Sequence, residues 1–158
     1  MIEMVERLVQ MLAEMEMTIS TAESCTGGML ASKIIDVGGA SEVYSEGFIT
    51  YSYDAKEKYL KVSKETLETY GAVSEQTVRE MATGCLNATG SDVALVTSGV
   101  AGPGGGTPEK PVGLVYIACA YKGDVVAKSY KFDGDRYEIR SQAVDEAIKL
   151  AIEMLENH

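Results

Sequence analysis

Two hydrophobic periodicities alternate along this chain, and that alternation limits its folds more than any other feature. Met4, Val5, Leu8, Val9, Met11, Leu12 and Met15 recur at helical spacing, which predicts an amphipathic helix over residues 3 to 15. Met17 to Thr21 then reads as a short strand, running through Glu23-Ser24-Cys25-Thr26-Gly27-Gly28 into a second helix that stops at Gly38-Gly39. Val43 to Tyr53 is β-branched and aromatic, which favours a strand, and Asp54 with Glu57 resembles an N-cap for a helix reaching Leu60. Lys56 falls in the first turn of that helix. Residues 74 to 88 form a longer helix behind Ser74, and Val93 to Ser98 forms a buried strand.

The later part changes character. Val112 to Tyr121 and Val125 to Phe132 read as two strands around the turn Lys122-Gly123-Asp124, so they return antiparallel, and a closing helix carries Ile139 through Leu155. Early βα alternation followed by a hairpin implies a mixed sheet covered by helices on both faces, a three-layer α/β/α sandwich. With 158 residues, 46% of them hydrophobic, the expectation is a single domain over residues 1–158 with a sizeable core. The strand order does not follow from these patterns.

Charge and composition exclude several function classes. The formal net charge of -10 opposes attraction to nucleic acid or to an anionic membrane, so any anionic ligand must be small and held locally. No stretch approaches the roughly 18 apolar residues of a membrane span, and Glu3 and Glu6 stand where a signal peptide would be basic, which points to the cytoplasm. Cys25, Cys85 and Cys119 lie far apart with no CxxC spacing, so neither a disulfide framework nor a thiolate metal site is indicated. The only histidine is His158, on what reads as a fraying tail, which leaves no imidazole for a Ser-His-Asp triad, a Cys-His pair or a His-ligated metal.

What remains is a hydroxyl in a glycine-rich bend. Ser24 lies at the carboxyl end of a strand, the ligand-facing edge of open α/β sheets. The amides of Thr26, Gly27 and Gly28 would open the next helix and favour a phosphate or an oxyanion there. The same residues are equally a glycine-rich helix start that Ser24 merely caps. Gly99 to Gly106 holds five glycines, among them Gly102, Gly104 and Gly105, and is either an amide-rich binding loop or a mobile connection. Without histidine a serine needs another base, and a lysine depressed by burial can serve; Lys56 is the candidate, although Lys56, Lys58, Lys61 and Lys64 also read as a solvated face. Tyr51 either packs or relays a proton, and Cys25 ranks below Ser24 as a nucleophile. Arg136 and Arg140 can clamp a phosphate or pair with Asp133 or Glu138.

Five blocks taken together, Thr21-Ala22-Glu23-Ser24-Cys25-Thr26-Gly27-Gly28, Gly47-Phe48-Ile49-Thr50-Tyr51-Ser52, Gly71-Ala72-Val73-Ser74, Ser98-Gly99-Val100-Ala101-Gly102-Pro103 and Lys110-Pro111-Val112-Gly113, closely resemble the CinA C-terminal domain family. That resemblance covers nearly the whole chain and implies an α/β/α amidohydrolase domain that converts nicotinamide mononucleotide to nicotinate mononucleotide and ammonia in pyridine-nucleotide recycling. It implies a catalytic serine at Ser24, tyrosine at Tyr51 and lysine at Lys56, with the family's arginine at Arg136 or Arg140. No cofactor and no metal is called for. The expected partner is a small nucleotide substrate, and the sequence is silent on oligomeric state beyond allowing a homo-oligomer. The alternatives are a non-catalytic nucleotide-binding regulatory module and an amidase for another small carboxamide.

Overall fold

The computed structural model describes residues 3–158. Five strands, β1 (Ile19–Glu23), β2 (Tyr44–Ile49), β3 (Val93–Gly99), β4 (Leu114–Tyr121) and β5 (Asp124–Lys131), form one sheet in the order β2-β1-β3-β4-β5. The first three strands are parallel, and β4 and β5 are antiparallel to their neighbours. Six α-helices complete the fold: α1 (Met4–Glu14), α2 (Met29–Ile35), α3 (Tyr53–Leu60), α4 (Lys64–Tyr70), α5 (Glu75–Thr89) and α6 (Arg136–Asn157). The architecture is the expected three-layer sandwich around a mixed sheet.

Alternation along the strands divides the core in two. Ile19, Leu95, Ile117, Cys119 and Tyr121 face one side, where they meet Leu8 and Leu12 of α1, Leu30 and Ile34 of α2, and the apolar stripe of α6. Ala22, Ala94, Val96, Ala118 and Ala120 face the other, against Val78, Met81 and Cys85 of α5, Leu60 of α3 and Leu67 of α4. Alanines line the second face, under α5, and larger side chains line the first, under α6. At Gly84 of α5 the approach to α3 is closest: a Cβ there would overlap the carbonyl of Leu60.

The boundaries differ from the sequence reading for identifiable reasons. The expected strand Met17–Thr21 becomes Ile19–Glu23, because the Met17 N–H closes the end of α1 on the Leu12 carbonyl and Thr18 is tied to Asp92. The expected strand Val43–Tyr53 is only Tyr44–Ile49, and the cap of α3 is Ser52, whose hydroxyl accepts from the Ala55 N–H at 3.0 Å, rather than Asp54. Helix α4 was not foreseen, since its seven residues bury only Leu67 and show no period. β4 begins at Leu114 rather than Val112, after Gly113 donates to the Val100 carbonyl. The hairpin turns on Lys122-Gly123, both at positive φ, and pairs Tyr121 with Asp124. His158 does not fray: its Nε2 lies 3.0 Å from an Asp124 carboxylate oxygen and its ring meets Tyr121 edge-on.

The parallel strands β1, β2 and β3 end on the same edge of the sheet, where β4 begins and β5 finishes. That edge gathers the bend after β1, the β2–α3 connection, the glycine loop and the start of α6. No helix among the described residues is long and apolar enough to cross a membrane.

Candidate active site

Ser24 begins the bend that follows β1, and its N–H donates to the Thr97 carbonyl at 3.1 Å, so the chain turns while still anchored to the neighbouring strand. Its side chain is 7% exposed. Ser52 caps α3 so that Lys56, on the fourth residue of the helix, points inward; Lys58, Lys61 and Lys64 remain on the solvated face. Lys56 is the only one of the run to be buried, at 0% exposure.

The amine of Lys56 has three oxygen neighbours. Its Nζ lies 3.0 Å from Ser24 Oγ, 2.6 Å from the Thr50 carbonyl and 3.4 Å from the Tyr51 carbonyl. Burial pushes its pKa down from 10.5 to about 8, with no carboxylate beside it to restore the charge. A neutral amine keeps two N–H groups, which the two carbonyls accept, so its lone pair is left facing the serine hydroxyl. That is the arrangement a general base for Ser24 requires.

Cys25 does not compete. Burial pushes its thiol up to about 11, the reverse of an activated thiolate. Cys85 and Cys119 are likewise raised by burial and sit in the core.

Other expected residues take different places. Tyr51 is 63% exposed and its hydroxyl accepts from Arg136 Nη2 at 3.2 Å, while its carbonyl lies 3.4 Å from the Lys56 amine. Thr26 is fully buried, with its hydroxyl shared between Glu23 and Thr97, and does not present itself to a ligand. Of the three amides expected to open α2 for an anion, that of Gly27 donates to the Ser24 carbonyl, and the Leu30 and Ala31 N–H groups of the helix itself donate to the carboxylate of Glu23. Gly28 N–H is left without a protein acceptor among the described residues, at a half-exposed position. Glu23 was missed by sequence reasoning; an acidic side chain five residues before a glycine at the cap position of a helix is the signal that points to it.

Neither arginine pairs with Asp133 or Glu138. Arg140 donates from Nε to the Cys25 carbonyl and from Nη2 to the Thr26 carbonyl, both at 2.9 Å, clamping the bend from α6. Arg136 donates from Nη1 to the Gly102 carbonyl at 2.6 Å, so it spans from the glycine loop to Tyr51. Both its acceptors are neutral, and its side chain is exposed. Gly102 is buried against Val112, whereas Gly104 and Gly105 are exposed with open space around them. No group of His, Cys, Asp or Glu among the described residues is arranged to hold a metal ion.

The chain is similar to known proteins. A CinA-like protein of Kosmotoga olearia is 53% identical over 138 residues, which is 87% of this chain and 34% of that protein. The chain thus spans about a third of the length of the curated relatives it matches. Among solved structures, a competence-damaged protein (CinA) superfamily protein from Klebsiella pneumoniae superposes with a TM-score of 0.95 at 37% identity, covering 98% of this chain and 97% of that one. The competence/damage inducible protein CihA from Agrobacterium tumefaciens gives 0.91 at 40% identity, with 98% and 97% covered. The family model described as the CinA C-terminal domain matches residues 1–155, and the chain belongs to the CinA C-terminal domain family.

Proposed function

We propose that the Ser24–Lys56 pair hydrolyses the carboxamide of nicotinamide mononucleotide, giving nicotinate mononucleotide and ammonia. The observation that carries this reading is the buried amine 3.0 Å from the serine hydroxyl, with its remaining hydrogens directed at two carbonyls. Lys56 accepts the Ser24 proton as Oγ attacks the carboxamide carbon, and the negative charge of the tetrahedral intermediate falls on the former carbonyl oxygen. The half-exposed Gly28 N–H is the donor this reading assigns to that oxygen. The ammonium of Lys56 then returns its proton to the departing nitrogen, which leaves as ammonia. Water attacks the acyl-serine, again losing its proton to Lys56, and the protonated amine restores the Ser24 hydroxyl as the acid departs.

The 5′-phosphate is assigned to the rim formed by Arg136 and the exposed loop around Gly104 and Gly105. Arg136 holds only neutral acceptors, so a dianionic phosphate is a better partner than either. In this reading Tyr51 serves substrate placement through Arg136.

The test is ammonia release by the purified protein from nicotinamide, its riboside and its mononucleotide. Turnover of the mononucleotide that disappears in Ser24→Ala and Lys56→Met supports the proposal. Binding of the nucleotide without turnover assigns the chain to a regulatory binding module, and faster turnover of a carboxamide lacking phosphate would remove the role given to Arg136.

A further inference from the structure

Glu23 is an acidic side chain at 0% exposure, immediately before the serine. Its Oε1 accepts from the Leu30 N–H at 2.8 Å and from the Thr26 hydroxyl, and its Oε2 accepts from the Ala31 N–H at 3.1 Å. The Thr26 hydroxyl also lies 2.7 Å from that of Thr97, the residue whose carbonyl anchors the Ser24 N–H. A residue at the start of the bend therefore grips the middle of the bend and the helix that follows it. Its main chain reaches the base as well: the Glu23 carbonyl accepts from the Thr50 N–H at 2.9 Å, and the Thr50 carbonyl accepts from Lys56 Nζ.

We infer that Glu23 is a positioning residue that sets where Ser24 Oγ stands relative to Lys56, and that its carboxylate takes the Leu30 and Ala31 N–H groups of α2, so that these two donors hold the protein's own anion and none from a substrate. Both consequences come from one set of bonds. The two N–H groups that a short helix leaves free are taken internally, which fixes the helix to the strand end and fixes the bend between them. The role rests on the serine hydrolase reading given above.

The experiment compares wild type with Glu23→Gln, Thr26→Val and Thr26→Ser, using steady-state kinetics on nicotinamide mononucleotide and crystal structures of the variants. Glu23→Gln keeps the shape but replaces an acceptor with a donor that confronts a backbone N–H. It is expected to lower kcat by about 100-fold, the cost of a small misplacement of reacting groups, with KM within about twofold. Thr26→Val loses in the same direction, and Thr26→Ser, which keeps the hydroxyl, retains wild-type kcat. In the Gln variant Ser24 Oγ moves out of hydrogen-bonding reach of Lys56 Nζ. If Glu23→Gln does not fold, Thr26→Val carries the same comparison by removing one hydroxyl. Wild-type kcat in Glu23→Gln and Thr26→Val, a loss carried by KM, or a loss with Ser24 unmoved overturns the inference. If the wild type releases no ammonia the proposed activity fails, while the displacement of Ser24 in the variants still decides the role of Glu23.

Discussion

Lys56 Nζ stands 3.0 Å from Ser24 Oγ, and the other oxygens around that nitrogen belong to backbone carbonyls. A charged ammonium is content there with three acceptors, yet its burial favours the neutral form. The site thus holds an amine that gives up its proton near pH 8 and, having done so, faces a hydroxyl.

The proposed base has to be neutral to act, so kcat/KM should rise tenfold per pH unit below about 8 and level off above it. Lys56→Arg keeps a cation that never deprotonates in this range, and its activity should fall by about 10²- to 10⁴-fold. A profile flat from pH 6 to pH 9 in the wild type would exclude Lys56 as the base.

Stability should carry the same signature. The folded-state pKa of Lys56, about 8, lies below its ordinary 10.5, so between those values the unfolded chain binds the proton and the folded one does not. Stability then rises with pH across that window, and the penalty of the buried charge is fully present below pH 8. Urea unfolding of wild type and Lys56→Met at pH 7 and pH 10 isolates this contribution, because other groups cancel. The wild type should gain about 2 kcal/mol on the variant between the two pH values. An unchanged difference would mean that the amine is not depressed.

Gly84 sets the distance between α5 and α3, the helix that carries Lys56. Gly84→Ala puts a methyl group into the Leu60 carbonyl, and neither backbone can yield without shifting a helix. The expected loss is about 1–3 kcal/mol of stability, read by thermal or chemical unfolding, together with reduced activity. A variant that is both as stable and as active as wild type would show that the helices part easily.

Arg136 and Arg140 should separate kinetically. Arg140 holds two carbonyls of the serine bend through a planar fork that lysine cannot reproduce, so Arg140→Lys should lower kcat by about tenfold or more and leave KM nearly unchanged. Arg136→Ala should raise KM for the mononucleotide by about 10- to 100-fold, the worth of a charged hydrogen bond, without raising it for the riboside. Steady-state kinetics on both substrates checks this, and an equal effect of Arg136→Ala on the two would detach it from the phosphate.

Much of the fold could be read in the chain because its layers write themselves as periods. Strands with Ile, Leu and Tyr on one face and Ala on the other, amphipathic α1, α5 and α6, and the cap at Ser74 are all local patterns. Short elements were not legible: α4 buries a single leucine, and the end of β1 depends on how Met17 closes the helix before it. At the site, Ser24 and Lys56 were visible as residue types, whereas the contact of the Tyr51 phenol with Arg136 was not, since nothing local tells a strand-end tyrosine whether an arginine from the last helix will meet it.

The chemistry open to this protein was determined by residue identity alone: without an internal histidine, and with a serine in a glycine-rich bend, only a few bases were left to consider. Which lysine of a dense run becomes that base was decided by tertiary structure, because a pKa depends on the solvent removed around the amine and on the acceptors brought to it from the bend after β1 and from the β2–α3 connection. The same holds for Glu23 and the two arginines. Their partners lie on separate elements, and long-range packing, which no spacing in the chain encodes, brings them together.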